Sequence, residues 1–535
     1  MLAVIVLDCA HPSILESLLE DHRLPALESL RERGARLPLR SEGAALDGGV
    51  FQTLLTGVQP GKHGVHKYRR LVPGTYQYEI APAAASPVPQ IWQVLSEAGR
   101  RCCVFDVPKA FPSPGFNGKL VASWGSYSPA GKPDSAPADL YEEVVKRFGR
   151  HPQRVQKALP LTPKGYQRAL HRLLQATRTR GDACSWLLAH EEWDFFMTAF
   201  SESHVGAHQF WHLRDPAHPL YDYESARNCS DALERIYEAI DENIGRLLEA
   251  LPRDAHVIVL TQQGVQHNYS GSHLLPQWLA RREGRAPSRQ WLTLVDGLLP
   301  SAIRNAVRRR LPEHHANRLA QKKFPADGKV FLLPGSEYAA LLRVNLRGRE
   351  PEGIVAPEAY EATLDRLCAD LLSLHNTKTR EPVVAELRRT RRLYDGPCVD
   401  QLPDLVVCWK NDCPVDAITC PRVGLVRGGK RLFTDITHSM HTSDGLAFLA
   451  GPDVPHLERE VPRDIRDVTA TLFGLAGVPA PAHLEGKCLV PLPNSGNSRI
   501  SERQPAESSP KSASKSASKS ASKTSATLRH GDPGA

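Results

Sequence analysis

The stretch Ser230-Asp-Ala-Leu-Glu-Arg-Ile-Tyr-Glu-Ala-Ile-Asp-Glu-Asn-Ile-Gly-Arg-Leu-Leu-Glu-Ala-Leu251, followed closely by His256-Val-Ile-Val-Leu-Thr261, decides the fold. Leu233, Ile236, Tyr237, Ile240, Ile244, Leu247, Leu248 and Leu251 fall on one helical face, and Ser230 is a suitable N-cap. The run at 256–261 is short, apolar and rich in β-branched residues, as a strand buried on both faces requires. A helix that feeds at once into such a strand is one half of a parallel βαβ unit. The same pattern extends outward. Leu2-Ala-Val-Ile-Val-Leu7 and residues 102–105, 195–200, 405–408 and 446–450 read as strands. Helices are expected from Ser13, over 25–33 and over 89–99, the second with Pro25 at its start and Gly34 just past its end. The expected class is α/β, with a central, mostly parallel sheet and helices on both faces. In such sheets functional side chains gather where strands end, and Asp8, 201–208 and 261–264 all follow strands.

Composition narrows the class further. The 535 residues are 41% hydrophobic and 24% charged, ordinary values for a globular protein. No run approaches 18 apolar residues, so no membrane span and no membrane partner are expected. The run Leu2 to Leu7 lacks a preceding basic residue and ends at Asp8, unlike an export signal. The eleven cysteines have no scaffold-like spacing, which together with the first run favours a reducing, cytoplasmic setting. Cys408, Cys413 and Cys420 do not have zinc-ribbon spacers. From Arg499 onward seven Lys/Arg face three Asp/Glu, so half of the net charge of +8 sits in the tail. The rest is nearly balanced, and nucleic acid is expected to bind only weakly, through that tail. Residues 491–535, with Lys511, Lys515, Lys519 and Lys523 separated by Ser-Ala-Ser, lack apolar side chains to bury and are expected to be disordered. Residues 1–490 are expected to form one domain, with a basic cap insertion near 281–324.

Four segments carry chemistry. Asp8 ends the first strand in Leu7-Asp-Cys-Ala-His-Pro12. Thr56-Gly-Val-Gln-Pro-Gly-Lys-His-Gly64 follows an apolar run. Glu202-Ser-His-Val-Gly-Ala-His-Gln-Phe-Trp211 follows a strand, and His441-Thr-Ser-Asp-Gly445 precedes the last one. His204 and His208, at i and i+4, share one face if the segment is helical.

In their order and spread these segments resemble the type I phosphodiesterase/nucleotide pyrophosphatase family of the alkaline-phosphatase superfamily. Ile91-Trp92, Asp106-Val-Pro108, Leu402-Pro-Asp-Leu405, Asp464-Ile-Arg-Asp-Val468 and Gly477-Val-Pro479 extend the likeness over roughly 1–490. The resemblance implies an alkaline-phosphatase-like fold and a hydroxyl nucleophile flanked by two zinc ions. Carried over by position, Asp8, His208 and His441 match metal ligands, and His204 stands where the family has Asp. Asp47 occupies the nucleophile position, and Gln262-Gln263 replace the Asp-His pair of the second site. Amides are poor zinc ligands, so one zinc ion is expected and the second site is expected to be lost. The altered first site would then be His204, His208 and His441 with a fourth position for water, whose pKa such an ion lowers towards about 7. Glu202 or Asp47 would serve as a carboxylate ligand, an orienter of a His ring or a general base. The resulting expectation is a metal-dependent hydrolase of a small phosphodiester or related phosphoryl substrate, with Asp8, His204, His208 and His441 at the metal and Asp47 and Glu202 as catalytic carboxylates. The alternative is a non-catalytic binding or scaffold protein that kept the fold. Oligomeric state is not legible.

Overall fold

The computed structural model describes residues 1–81, 86–126, 133–152, 159–160, 162–285, 328–333, 335, 338–428 and 438–491. All of these lie in one unit, Met1–Ser495. The expected tail and most of the expected insertion at 281–324 lie outside the described residues.

Ten strands among the described residues share one sheet. They are β1 (Leu2–Leu7), β2 (Gly34–Arg40), β3 (Cys102–Phe105), β4 (Gly118–Ala122), β5 (Asp134–Ala136), β6 (Phe195–Phe200), β7 (His256–Thr261), β8 (Asp444–Ala450), β9 (Leu457–Glu458) and β10 (Arg463–Asp464). The order is β9-β2-β8-β7-β1-β6-β3-β4-β5, with β10 also paired to β2. β1 is apolar and buried at every position, which suits only a strand with cover on both faces. It lies between β6 and β7, parallel to both. Leu7 pairs with Phe200 and Val6 with Leu260, so these three strands end level with one another. β3 and β4 continue the parallel set, whereas β8 runs antiparallel to β7 and β2.

Period-two alternation divides the core. Ala3, Ile5, Leu7, Phe196, Phe200, Val257 and Val259 face a layer that includes the helices Pro12–Glu20, Pro163–Ala189 and Ala232–Ala250. Leu2, Val4, Val6, Phe195, Met197, Ile258 and Leu260 face the opposite layer, with the helices Val50–Thr56, Ile91–Glu97 and Ile465–Leu475. Helices therefore cover both faces, as the sequence pattern predicts. Two details differ from expectation. Leu405–Trp409 is a strand, but it belongs to a separate antiparallel sheet with Val330–Leu332, Ala340–Val344 and Val384–Arg389. This lobe is built between β7 and β8 around Trp278, Leu342, Leu367 and Val407. The second detail is β2, which begins at the Gly34 that sequence reads only as a helix stop. The residue Pro38 within it weakens any strand signal.

A buried charge network supports the end of β6. Arg180, on the helix Pro163–Ala189, donates from Nε to both Glu202 carboxylate oxygens at 3.0 Å and pairs with Asp106 Oδ2 at 2.9 Å. His151 Nε2 lies 2.7 Å from Glu202 Oε1. Asp106 also accepts from the backbone N–H groups of Trp124, Gly125 and Ser126. Burial alone would raise the Glu202 carboxyl, but Arg180 and His151 overcome it and hold the group down to about 2. Glu202, expected as a catalytic carboxylate, is placed in this buried network, where Arg180 and His151 engage its oxygens. Beside Arg180, Gly181 touches the neighbouring helix so closely that an added Cβ would meet Asn243 Oδ1 at 1.7 Å.

Three stability predictions follow from this packing. Glu202→Ala leaves Arg180 under-compensated in the interior and should cost about 3–5 kcal/mol in denaturant unfolding. Gly181→Ala should cost about 1–3 kcal/mol by forcing two helices apart. The third concerns acid. Burial pushes His11 down to about 4, His63 and His66 to about 3, and His212 to about 2. The folded chain keeps these rings neutral while the unfolded chain takes up protons below about 6.5. Their stabilisation is thus complete above about pH 6.5 and declines as pH falls towards the folded values. Each ring contributes a slope of up to about 1.4 kcal/mol per pH unit. Urea midpoints should fall steeply between pH 6.5 and 4.5, and a flat profile there would contradict the burial of these rings.

Candidate metal centre

Level strand ends bring the chemistry together. Asp8 leaves β1, the helix Glu202–Arg214 starts one residue after β6, and Gln262 and Gln263 leave β7. β8 is antiparallel, so its start lies at this same edge, and His441 reaches the edge from the short strand Ser439–His441. That strand pairs with Val265–His267, and His441 sits opposite Val265. Helical geometry places His204 and His208 on one face.

The three rings His204, His208 and His441 form a nearly equilateral group. Their centroids are 4.9 Å apart for His204–His208 and 5.1 Å for each of the other two pairs. His208 Nδ1 is hydrogen-bonded to Ser439 Oγ at 2.7 Å, which fixes the orientation of the ring. His204 Nδ1 lies 3.1 Å from Asp8 Oδ2. Burial would raise the Asp8 carboxyl, yet His204, the Cys9 thiol and the Gln262 amide together hold it below the usual range. Burial pushes His441 down to about 4, and His204 and Lys67 add to this against the opposing pull of Asp47. His441 is consequently a neutral ring near pH 7, the form that ligates metal.

Asp47 opens the turn Asp47–Gly49, just ahead of the helix Val50–Thr56. A Cβ on Gly48 would meet Lys67 Cα at 2.5 Å, and one on Gly49 would meet Val65 O at 2.4 Å. These two glycines allow the turn to lie directly on the 65–67 segment. Asp47 is thereby ion-paired with Lys67, whose side chain is 2% exposed. The other Asp47 oxygen faces His441 Nε2 at 3.8 Å. Lys67 Nζ also sits 5.3 Å from the centroid of the Tyr338 ring, within reach of a cation–π contact.

The structure thus brings together five of the six expected site residues: Asp8, Asp47, His204, His208 and His441. It leaves Glu202 outside the group. Sequence reading missed three members. Ser439 and Lys67 are single polar residues in segments whose folding together is decided by tertiary contacts. Cys9 follows Asp8, but its left-handed backbone (φ 60°) turns the thiol toward the histidines, a geometry rare for a side chain of this kind. Cys9, His204 and His441 each offer a ligand atom, all within 4.8 Å of one another. Nitrogen and sulfur donors gathered in a buried site fit a borderline-soft divalent ion such as zinc.

The second site differs in kind. Gln262 Nε2 donates to Asp8 Oδ1 at 2.7 Å, and Gln263 Nε2 donates to Cys9 Sγ at 3.2 Å. One amide N–H therefore points at Asp8 and the other at the Cys9 sulfur beside it.

Comparisons with known proteins agree with this architecture. The type I phosphodiesterase / nucleotide pyrophosphatase family matches residues 2–412. The crystal structure of phosphonoacetate hydrolase from Sinorhizobium meliloti 1021 in complex with phosphonoacetate is similar in fold. It has a TM-score of 0.51 and 13% identity over 89% of this chain and 95% of that one. A mutant of the alkaline phosphatase PafA is likewise similar, with a TM-score of 0.50 and 11% identity over 91% of this chain and 98% of that one. No curated protein matches the sequence. No helix among the described residues is long and apolar enough to cross a membrane. With the family matched over most of its length and the sheet in place, the chain belongs to the type I phosphodiesterase/nucleotide pyrophosphatase family of hydrolase-like enzymes, and its fold is similar to that of an alkaline phosphatase.

Proposed function

We propose that the protein is a single-metal hydrolase of phosphodiesters or closely related phosphoryl monoanions. The observation that carries this reading is the triangle of His204, His208 and His441, with centroids about 5 Å apart beside a buried carboxylate. Rings of this triangle would hold the ion, with Asp8 orienting His204 and Ser439 orienting His208. Bound there, a divalent ion supplies Lewis acidity and makes water acidic enough to ionise near neutral pH.

The remaining steps belong to the chain's own residues. Asp47 faces the His441 ring on its Nε2 side and would raise the basicity of that ring when it ligates. Lys67 keeps Asp47 in position and brings a positive charge to a substrate phosphoryl group. Charge supports both the cation and the substrate class. Asp8 and Asp47 against Lys67 alone leave an excess of negative charge, which would repel any phosphate ester. One divalent ion reverses the sign by a single charge, enough for a diester monoanion and poorly matched to a monoester dianion. With Gln262 and Gln263 in place of ionic ligands, no second cation is expected.

The test is hydrolysis of bis(p-nitrophenyl) phosphate and p-nitrophenyl phosphate by the full chain, with metal content measured in parallel. Near-stoichiometric zinc, loss of turnover on chelation and a higher kcat/KM for the diester are expected. His208→Ala and His441→Ala should each lower kcat/KM by about 100-fold or more, a loss of about 2.7 kcal/mol in transition-state stabilisation. Turnover undiminished in both variants would overturn the metal assignment. Absence of both metal and turnover under replete conditions would instead indicate a binding protein that kept the fold.

A further inference from the structure

We propose that Cys9 is itself a metal ligand: its sulfur, as a thiolate, joins His204 and His441 in holding the ion. The proposal rests on the single-ion reading above and goes beyond it by assigning the ligand chemistry.

The first argument is distance. An ion held tetrahedrally at about 2.3 Å from sulfur and about 2.0–2.1 Å from imidazole nitrogen sets the edge between those ligand atoms at about 3.5 Å. Cys9 Sγ lies 3.6 Å from His441 Nδ1, and a His204 nitrogen completes the group within 4.8 Å. Asp47 faces the opposite nitrogen of the same His441 ring, Nε2. A carboxylate behind a ligating imidazole is the usual way to fix the ring and increase its basicity. His441 is thus addressed by sulfur on one nitrogen and by carboxylate on the other.

The second argument comes from the two glutamines. Gln263 Nε2 donates to Cys9 Sγ at 3.2 Å, and Gln262 Nε2 lies 3.9 Å from the same sulfur while donating to Asp8 at 2.7 Å. Turning Gln262 over would set its carbonyl oxygen against the Asp8 carboxylate, so the N–H orientation is enforced. A cation that takes the place of the S–H proton would find a sulfur already contacted by these two amides. A thiolate in a fully buried position needs such donors as well as a cation. The left-handed backbone at Cys9 delivers the sulfur to this point. On binding, the metal–sulfur bond forms as the S–H proton, now shared with Asp8 Oδ1 at 3.1 Å, leaves to solvent.

Cobalt(II) titration of metal-free full-length protein tests this directly. The expected result is one cobalt per chain and a near-ultraviolet thiolate-to-cobalt charge-transfer band. Cys9→Ser should abolish the band and weaken cobalt binding by about tenfold or more while His204 and His441 still hold an ion. Because Cys9 is buried, Cys9→Ala with circular dichroism serves as a second variant. X-ray absorption of zinc-loaded wild type, which needs no variant, should show one sulfur at about 2.3 Å. One cobalt bound without the band, or zinc without sulfur, overturns the Cys9 assignment and leaves the single-ion reading standing. A band that survives Cys9→Ser arises from another of the eleven cysteines and overturns it equally. Failure of the wild type to bind cobalt or zinc at all overturns both readings together.

Discussion

Burial of the Asp8 carboxylate at the end of the central strand is the constraint around which the candidate centre is arranged. Asp8 is 2% exposed, and an ionised carboxylate in that position is costly unless its oxygens are fully engaged. The partners come from every strand end nearby. Cys9 and Gln262 donate to Oδ1, His204 lies against Oδ2, and the Asp8 backbone carbonyl accepts from the Ser203 hydroxyl at 2.7 Å. Those contacts require β1, β6 and β7 to end level, which their parallel registers provide. The fold and the charge are therefore coupled: a slip of one residue in either register would turn alternate side chains to the other face and strip Asp8 of its partners.

Gln262 engages the buried Asp8 carboxylate through an amide N–H. A cation and an amide N–H can both satisfy a carboxylate oxygen, but only the cation brings charge. Gln262 preserves the packing around Asp8 and gives up the electrostatics. The deficit then falls on Lys67, a buried ammonium contributed by a different segment and held by Asp47. Its position depends on Gly48 and Gly49, which admit the 65–67 segment against the Asp47 turn.

How much of this was legible in sequence depends on how local the cause is. Leu2–Leu7, Phe195–Phe200 and His256–Thr261 occur where their apolar runs predict, because burial on both faces leaves a continuous pattern. His204 and His208 share a face because helical spacing alone dictates it. β2 was not legible, since Pro38 and the preceding helix stop mask a strand that exists only because β8 lies beside it. Glu202 looked catalytic by proximity to His204, but residues two apart on a helix point about 200° from one another, and this one faces Arg180. Cys9 and Lys67 left no pattern at all. Their roles follow from backbone conformation and tertiary approach, neither of which has a period.

The same reasoning bears on what the centre prefers to bind. A phosphoryl substrate must meet a site whose positive charge comes from one ammonium and at most one strongly held ion, set against Asp8 and Asp47. Sulfur in the inner shell would reduce the net charge again and soften the ion, lowering its pull on a phosphate oxygen. Each of these features disfavours a dianionic ester more than a monoanionic one, since the energy of a second uncompensated charge grows as the site becomes drier. The His204, His208 and His441 side chains are buried or nearly so, so water cannot make up the difference cheaply. Selectivity for singly charged esters would then arise from the charge balance of the centre itself, before any specificity loop touches the substrate.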